Sequence, residues 1–402
     1  MTSADTLLRA IADPASRADP YPLYDDLRRT PVVRQEDGVY TVSTYWEVRS
    51  LLNDPRMSSE TRPPAVGTPG PSKSFLRLDP AEHDRVRRIV TRPFGPPHTP
   101  GRVFAMHDGM AGAVKGLIDA FDGKDAVDVV DDFAYPFPIS VICRLFGVPL
   151  EDEPRFHLWT ESLLGNADLG TGAAPDPKLM DAETAKVEMG TYLAELFDKH
   201  RKSPGDDMFS ALATDDGPDG RLTPPELVAN AFLLLIAGHE TTVNLIANGV
   251  LTLLRNPDAL KRLRDHPDLV VPLVEELLRF EPPVQYLPNR RTLDDIEVCG
   301  TVIPRGADVN LMLAAANRDP NRFADPDRFV PDRPDVQHLG FGLGIHYCFG
   351  APLARMETRL ALTEFARRVK NPELVADPPP YRVNPVLRGP RHLEVSFRSL
   401  KS

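Results

Sequence analysis

Apolar residues recur at three- and four-residue spacing through 180–201, 222–255, 268–280 and 351–369, the mark of helices that bury one face or are buried throughout. Short strands or hairpin arms are fewer: 39–43, 296–303 with the Pro304-Arg305-Gly306 turn after it, and 308–313. The balance predicts a mainly α fold with a smaller β region. Thr223-Pro224-Pro225-Glu226 joins a capping box to first-turn prolines and starts the longest helix, which stops before Asn256-Pro257. At ~1.5 Å per residue it runs ~45 Å, enough to cross a large domain. Proline-rich stretches at 61–73, 93–101 and 378–385 punctuate the helices, and connections this long in a compact chain serve as lids or linkers.

Composition narrows the class. With 402 residues, 42% hydrophobic and 26% charged, the chain can bury a large core. Its 47 Lys+Arg against 58 Asp+Glu give a net charge of −11, which excludes nucleic acid or an anionic membrane as the main partner, since both need a basic footprint. The longest apolar run, 231–238, is far short of the ~20 residues that span a bilayer, and the N-terminus carries neither a basic start nor an apolar core, so no signal or anchor is expected. Three cysteines, Cys143, Cys299 and Cys348, cannot build a disulfide framework and suit a reducing cytoplasm; Cys143 and Cys299 read as packing residues. Length alone would allow two or three domains, but no composition break or repeat divides the chain, and motifs this far apart would have to meet in one fold.

The sharpest motif is Phe341-Gly342-Leu343-Gly344-Ile345-His346-Tyr347-Cys348-Phe349-Gly350. Six fixed positions make a chance match on the order of 10⁻⁸ per start site. Glycines tighten the loop so that backbone can approach something flat, and the loop delivers Cys348 to a helix N-terminus where free N–H groups favour a thiolate. A thiolate so placed suits iron. A buried inert cysteine, a Cys348–His346 nucleophile and a zinc site are the competing readings; the first leaves the glycines unexplained, and the last lacks paired ligand spacing.

The long helix breaks its own pattern at Ala237-Gly238-His239-Glu240-Thr241-Thr242. A mid-helix glycine costs about 1 kcal/mol against alanine, and a carboxylate with two threonines does not sit mid-core without a task. Ala237 and Thr241 are i and i+4, so the Thr241 hydroxyl can reach the Ala237 carbonyl or a ligand, making room for a diatomic molecule.

The cysteine loop resembles the haem-ligand loop of the cytochromes P450, and matching segments run from about His83 to the C-terminal region. The resemblance implies the P450 fold around haem b (iron protoporphyrin IX), with Cys348 as axial thiolate and metal ligand. It implies that Glu240 and Thr241 form the catalytic acid–alcohol pair relaying protons to dioxygen. His83 and Arg87, i and i+4 on one helix, with Arg290 and His346, would meet the propionates; Arg291 is the neighbour that could be mistaken for Arg290. Glu276-Leu277-Leu278-Arg279 fits E-x-x-R and with Arg328 would form a buried structural network under the cysteine loop, although Glu82/Arg85 and Glu364/Arg367 share the spacing. Substrate-lining segments correspond to 64–78, 158–180, Leu234 with Ala237, and 284–288 with Val284 and Leu287; they are mostly apolar and small, which suits a lipophilic substrate.

The resemblance therefore implies a cytoplasmic, monomeric monooxygenase that inserts one atom of O2 into a small or medium lipophilic molecule by hydroxylation, epoxidation or dealkylation. Electrons would come from a separate ferredoxin and its reductase, with Arg88, Arg102 and Arg355 as docking positions. A haem-thiolate peroxygenase, an isomerase-like member and a non-enzymatic haem sensor are the alternatives; retention of both Glu240 and Thr241 disfavours the first two.

Overall fold

The computed structural model describes residues 4–60, 73–95, 101–168 and 180–401. Most of the first two proline-rich stretches, 61–72 and 96–100, and much of one substrate-lining segment, 169–179, therefore lie outside the described residues. Helix makes up 55% of the structure beside small sheets, so the mainly α expectation holds. The chain forms two compact units, one of 1–58, 109–137 and 241–402, the other of 59–108 and 138–240.

In the first unit the main sheet has five strands, β1 (Val32–Arg34), β2 (Tyr40–Val42), β3 (Met57–Ser58), β4 (Leu287–Thr292) and β5 (Asp308–Leu311), in the order β1-β2-β5-β4-β3. The β2–β5 pair is parallel and the others antiparallel. Val42, Val48, Val309 and Leu311 lie in the buried cluster beneath it with Leu339, which leads into the cysteine loop. The 296–303 stretch forms two hairpin arms, Ile296–Val298 and Thr301–Ile303, turned by Cys299 and Gly300 at φ 49° and 74°. The expected 308–313 strand ends at Leu311, and helix resumes at Leu313.

Five helices carry the candidate site: α1 (Glu82–Phe94), α2 (Pro136–Phe146), α3 (Pro224–Arg255), α4 (Val270–Phe280) and α5 (Ala351–Arg368). In α1, His83, Val86, Ile89, Val90 and Phe94 form a buried stripe while Glu82 and Asp84 sit at the positive N-terminal end. Helix α3 starts as its capping box predicts: the Glu226 carboxylate accepts from the Thr223 N–H at 2.7 Å, and the Glu226 N–H donates to Thr223 Oγ1 at 3.4 Å. Gly249 lets α3 press against α4 and α5, since a Cβ there would lie 2.9 Å from both Leu277 and Leu362.

Candidate active site

The cysteine loop is built by backbone geometry that only glycine tolerates cheaply. Gly342 and Gly344 have φ of 66° and 68°, and a Cβ on Gly344 would sit 2.5 Å from the Leu52 carbonyl oxygen. The loop closes on itself where the Cys348 N–H donates to the Phe341 carbonyl at 2.9 Å. Two residues after Cys348, Gly350 caps α5, whose first turn carries proline. Cys348 is half-buried, unlike the wholly buried Cys143, whose thiol burial pushes up to about 12. Cys299, expected to pack, is instead exposed in its hairpin turn with Sγ 3.3 Å from the Glu47 carboxylate.

Helix α3 has an open window in an otherwise buried middle. Ala237 is exposed and Gly238 and Thr241 half-buried, while Leu235, His239, Glu240 and the turns after Thr241 are buried. The opposite side is close-packed: a Cβ on Gly238 would lie 2.6 Å from Ile142 Cδ1 of α2. His239 donates from Nδ1 to the Leu235 carbonyl at 3.0 Å, and its Nε2 lies 3.7 Å from the Glu240 carboxylate. Leu234 is buried one turn before the window, whereas Val284 and Leu287 are half-buried on the other unit.

Of the cationic candidates, His83 and Arg87 flank one ring. His83 donates from Nδ1 to Asp84 at 2.8 Å, the Phe75 ring lies edge-on 6.5 Å from the His83 ring, and the Arg87 guanidinium stands 5.1 Å over the same phenyl. Arg290 and Arg291 alternate across β4, and Arg291 turns to Asp308 at 3.1 Å, which separates it from its neighbour. His346 lies in a short helical turn of the cysteine loop, half-buried.

The three E-x-x-R candidates differ sharply in burial. Glu276 and Arg279 are fully buried and joined at 2.7 and 2.8 Å, whereas the Glu82–Arg85 and Glu364–Arg367 pairs are solvent-facing. The expected third member is corrected. Arg328 is 75% exposed and pairs with Asp325, lending Arg279 only its carbonyl; Arg333 takes its place, with Nε 3.1 Å from the Glu276 carboxylate. Arg333 was not anticipated, because a lone arginine in a Pro-Asp-Arg-Pro-Asp loop has no periodicity to mark it. Glu275 was missed too. Burial pushes its carboxyl up, but hydrogen bonds from Arg355 and His338 outweigh that and hold it down at about 2.

The donor set fits a haem. A half-buried thiol at a helix N-terminus, a glycine loop that tolerates close approach and an open helix face bearing a hydroxyl are what a flat iron cofactor with a diatomic ligand requires.

A half-buried cysteine loop, a helix opened at an acid–alcohol pair and a buried Glu–Arg pair on a mainly α fold define a haem-thiolate oxygenase. The cytochrome P450 family model matches residues 32–397. The cytochrome P450 monooxygenase PikC of Streptomyces venezuelae is 40% identical, over 95% of this chain and 92% of that protein. The vitamin D(3) 25-hydroxylase of Pseudonocardia autotrophica is 38% identical over 94% of each. The structure of Mycobacterium smegmatis CYP164A2 with econazole bound aligns with a TM-score of 0.87 and 38% identity, covering 98% of this chain and all of that one. The chain belongs to the cytochrome P450 family: it is an oxidoreductase that binds haem b. Among the described residues no helix is long and apolar enough to cross a membrane.

Proposed function

We propose that this protein is a haem-thiolate monooxygenase acting in the cytoplasm as a single domain over 1–402, with Cys348 as the axial ligand. The observation that carries the reading is the loop itself: positive-φ glycines at 342 and 344 and the Cys348 N–H on the Phe341 carbonyl hold a half-buried sulfur at the head of α5. Haem ligated by thiolate supplies reductive activation of O2 and transfer of one of its atoms to a C–H or C=C bond.

The chain's own groups then have separate tasks. His83 and Arg87 on one unit, and Arg290 and His346 on the other, supply the positive and N–H groups that a dianionic cofactor needs in a protein of charge −11. Glu240 gathers protons at the buried turn and Thr241 presents a hydroxyl at the open one, so a proton can be handed from carboxyl to hydroxyl at the window. Leu234, Ala237, Val284 and Leu287 offer apolar surface to the substrate, which we place among small or medium lipophilic molecules; a relative named for vitamin D(3) hydroxylation supports that class.

Electrons come from a separate ferredoxin-type protein. Arg88 and Arg102 are held by Asp219 and Asp206 at 2.9 and 3.0 Å and could trade those partners for a donor's carboxylates, while Arg355 is committed to Glu275. The deciding measurement is the optical spectrum of the reduced, carbon-monoxide-bound protein. Wild type should show the red-shifted Soret band of a thiolate ligand and Cys348→Ser should lose it. A wild type without that band ends this reading.

A further inference from the structure

The buried Glu276–Arg279 pair makes its hydrogen bonds to residues 317–333, ahead of the cysteine loop. The Glu276 carboxylate is filled by Arg279, Arg333 and the Val330 N–H, and the remaining Arg279 donors go to the Asn317, Pro326 and Arg328 carbonyls. The loop is gripped by the residue before it. Glu275 Oε1 accepts from Arg355 Nε at 2.7 Å and Oε2 from Arg355 Nη2 at 2.8 Å, the two parallel bonds of a guanidinium fork. His338 adds a third contact to Oε2 at 3.2 Å. Because His338 Nδ1 accepts the Gly340 N–H at 3.0 Å, its proton sits on Nε2 and points at Glu275.

Arg355 in turn reaches both ends of the loop around the sulfur. Its Nη1 donates to the Tyr347 hydroxyl at 3.1 Å, next in sequence to Cys348, and its guanidinium lies 4.6 Å over the ring of Phe341, whose carbonyl holds the Cys348 N–H. Gly340 fixes the entry to the same loop, for a Cβ there would lie 2.6 Å from the Leu278 carbonyl of α4. A single carboxylate on α4 is thus linked through Arg355 to Tyr347 and the Phe341 ring, and through His338 to the start of the loop.

We propose that Glu275 is the positioning residue of the cysteine loop: by fixing Arg355 between Tyr347 and Phe341 it determines how firmly Cys348 is held as iron ligand and where the haem reduction potential lies. This rests on the reading of Cys348 as that ligand. Two consequences follow from the charge. Without the carboxylate, Arg355 keeps its positive charge beside the loop with no counter-charge, which favours the reduced haem and raises the potential. Released from its fork, Arg355 no longer braces Tyr347 and Phe341, so the loop holds Cys348 less firmly and the thiolate Soret band of the carbon-monoxide complex is lost sooner.

The test uses haem-loaded wild type, Glu275→Gln, Glu275→Asp, Arg355→Lys, Arg355→Gln, the Glu275→Gln/Arg355→Gln double variant and Arg359→Gln. Each is examined by spectroelectrochemical titration and by the rate at which the thiolate Soret band of the carbon-monoxide complex converts to the blue-shifted band of the detached ligand. Glu275→Gln should raise the potential and speed conversion by about tenfold. Glu275→Asp should recover part of both, and the double variant should convert no faster than Arg355→Gln alone. Arg359, 3.6 Å from Glu275, is the control and its replacement should change neither reading. Should Glu275→Gln not assemble, Arg355→Lys decides, because it keeps the charge and loses the fork. A wild-type conversion rate in Arg355→Lys, or a wild-type potential and rate in Glu275→Gln with only a lower melting temperature, overturns the assignment. A thiolate band persisting in Cys348→Ser overturns the ligand reading instead.

Discussion

Buried carboxylates in this protein answer to opposite local rules. Glu275 accepts hydrogen bonds from Arg355 and His338 and stays ionised, whereas Glu357, on the same helix as Arg355, is buried with no hydrogen-bond partner for either oxygen among the described residues. Burial alone pushes the Glu357 carboxyl well above its ordinary 4.5, so it folds as the neutral acid. The sign of its linkage is fixed by that direction. Unfolded chains release this proton near pH 4.5 and folded ones do so only at much higher pH, so the native state binds more protons and loses stability as pH rises between the two values. Glu357→Gln keeps the shape and removes the proton. It should be near neutral at pH ~5 and gain stability over wild type as pH rises, by up to about 1.4 kcal/mol per unit until the native carboxyl ionises. Chemical denaturation at several pH values measures this, and a pH-independent difference would contradict it.

At the scale of elements, the cysteine loop is a device for holding a short segment of chain in backbone conformations that side chains resist. Gly342 and Gly344 share a positive φ, but only Gly344 is also pressed against a neighbour's backbone, the Leu52 carbonyl at 2.5 Å from its would-be Cβ; the nearest atom to Gly342 is at 3.8 Å. Gly342→Ala should therefore cost about 1 kcal/mol from conformation alone, and Gly344→Ala distinctly more because the loop must also move off the helix Tyr45–Asn53. Thermal midpoints and the fraction of haem retained on purification would rank the two, and equal losses would speak against the contact. The loop motif, the capping box of α3 and the Ala237–Thr242 interruption were legible because each departs from a periodic background at fixed spacing. The partners supplied by distant chain were not. Nothing in Asp332-Arg333-Pro334 announces that Arg333 fills the Glu276 site, and Arg328 had the more suggestive surroundings yet points outward.

At the scale of the molecule, the question raised by chain length is whether 402 residues behave as one domain or two. Contacts divide the chain into two compact units, and the proposed haem contacts divide with them: His83 and Arg87 on one, Cys348, Arg290 and His346 on the other. A ligand that binds only the folded chain stabilises it by about 4 kcal/mol at a thousandfold excess over Kd. Haem-loaded protein is thus expected to unfold in one calorimetric transition, with haem release, loss of the Soret band and loss of helix signal at the same midpoint. Removing haem should lower that midpoint and separate it into two, the lower one belonging to the unit of 59–108 and 138–240, which has none of the five-stranded sheet. Reconstitution with haem should merge them again. Two resolved transitions in the loaded protein would mean that the units are stable independently, and the single-domain reading would have to give way to one of two domains.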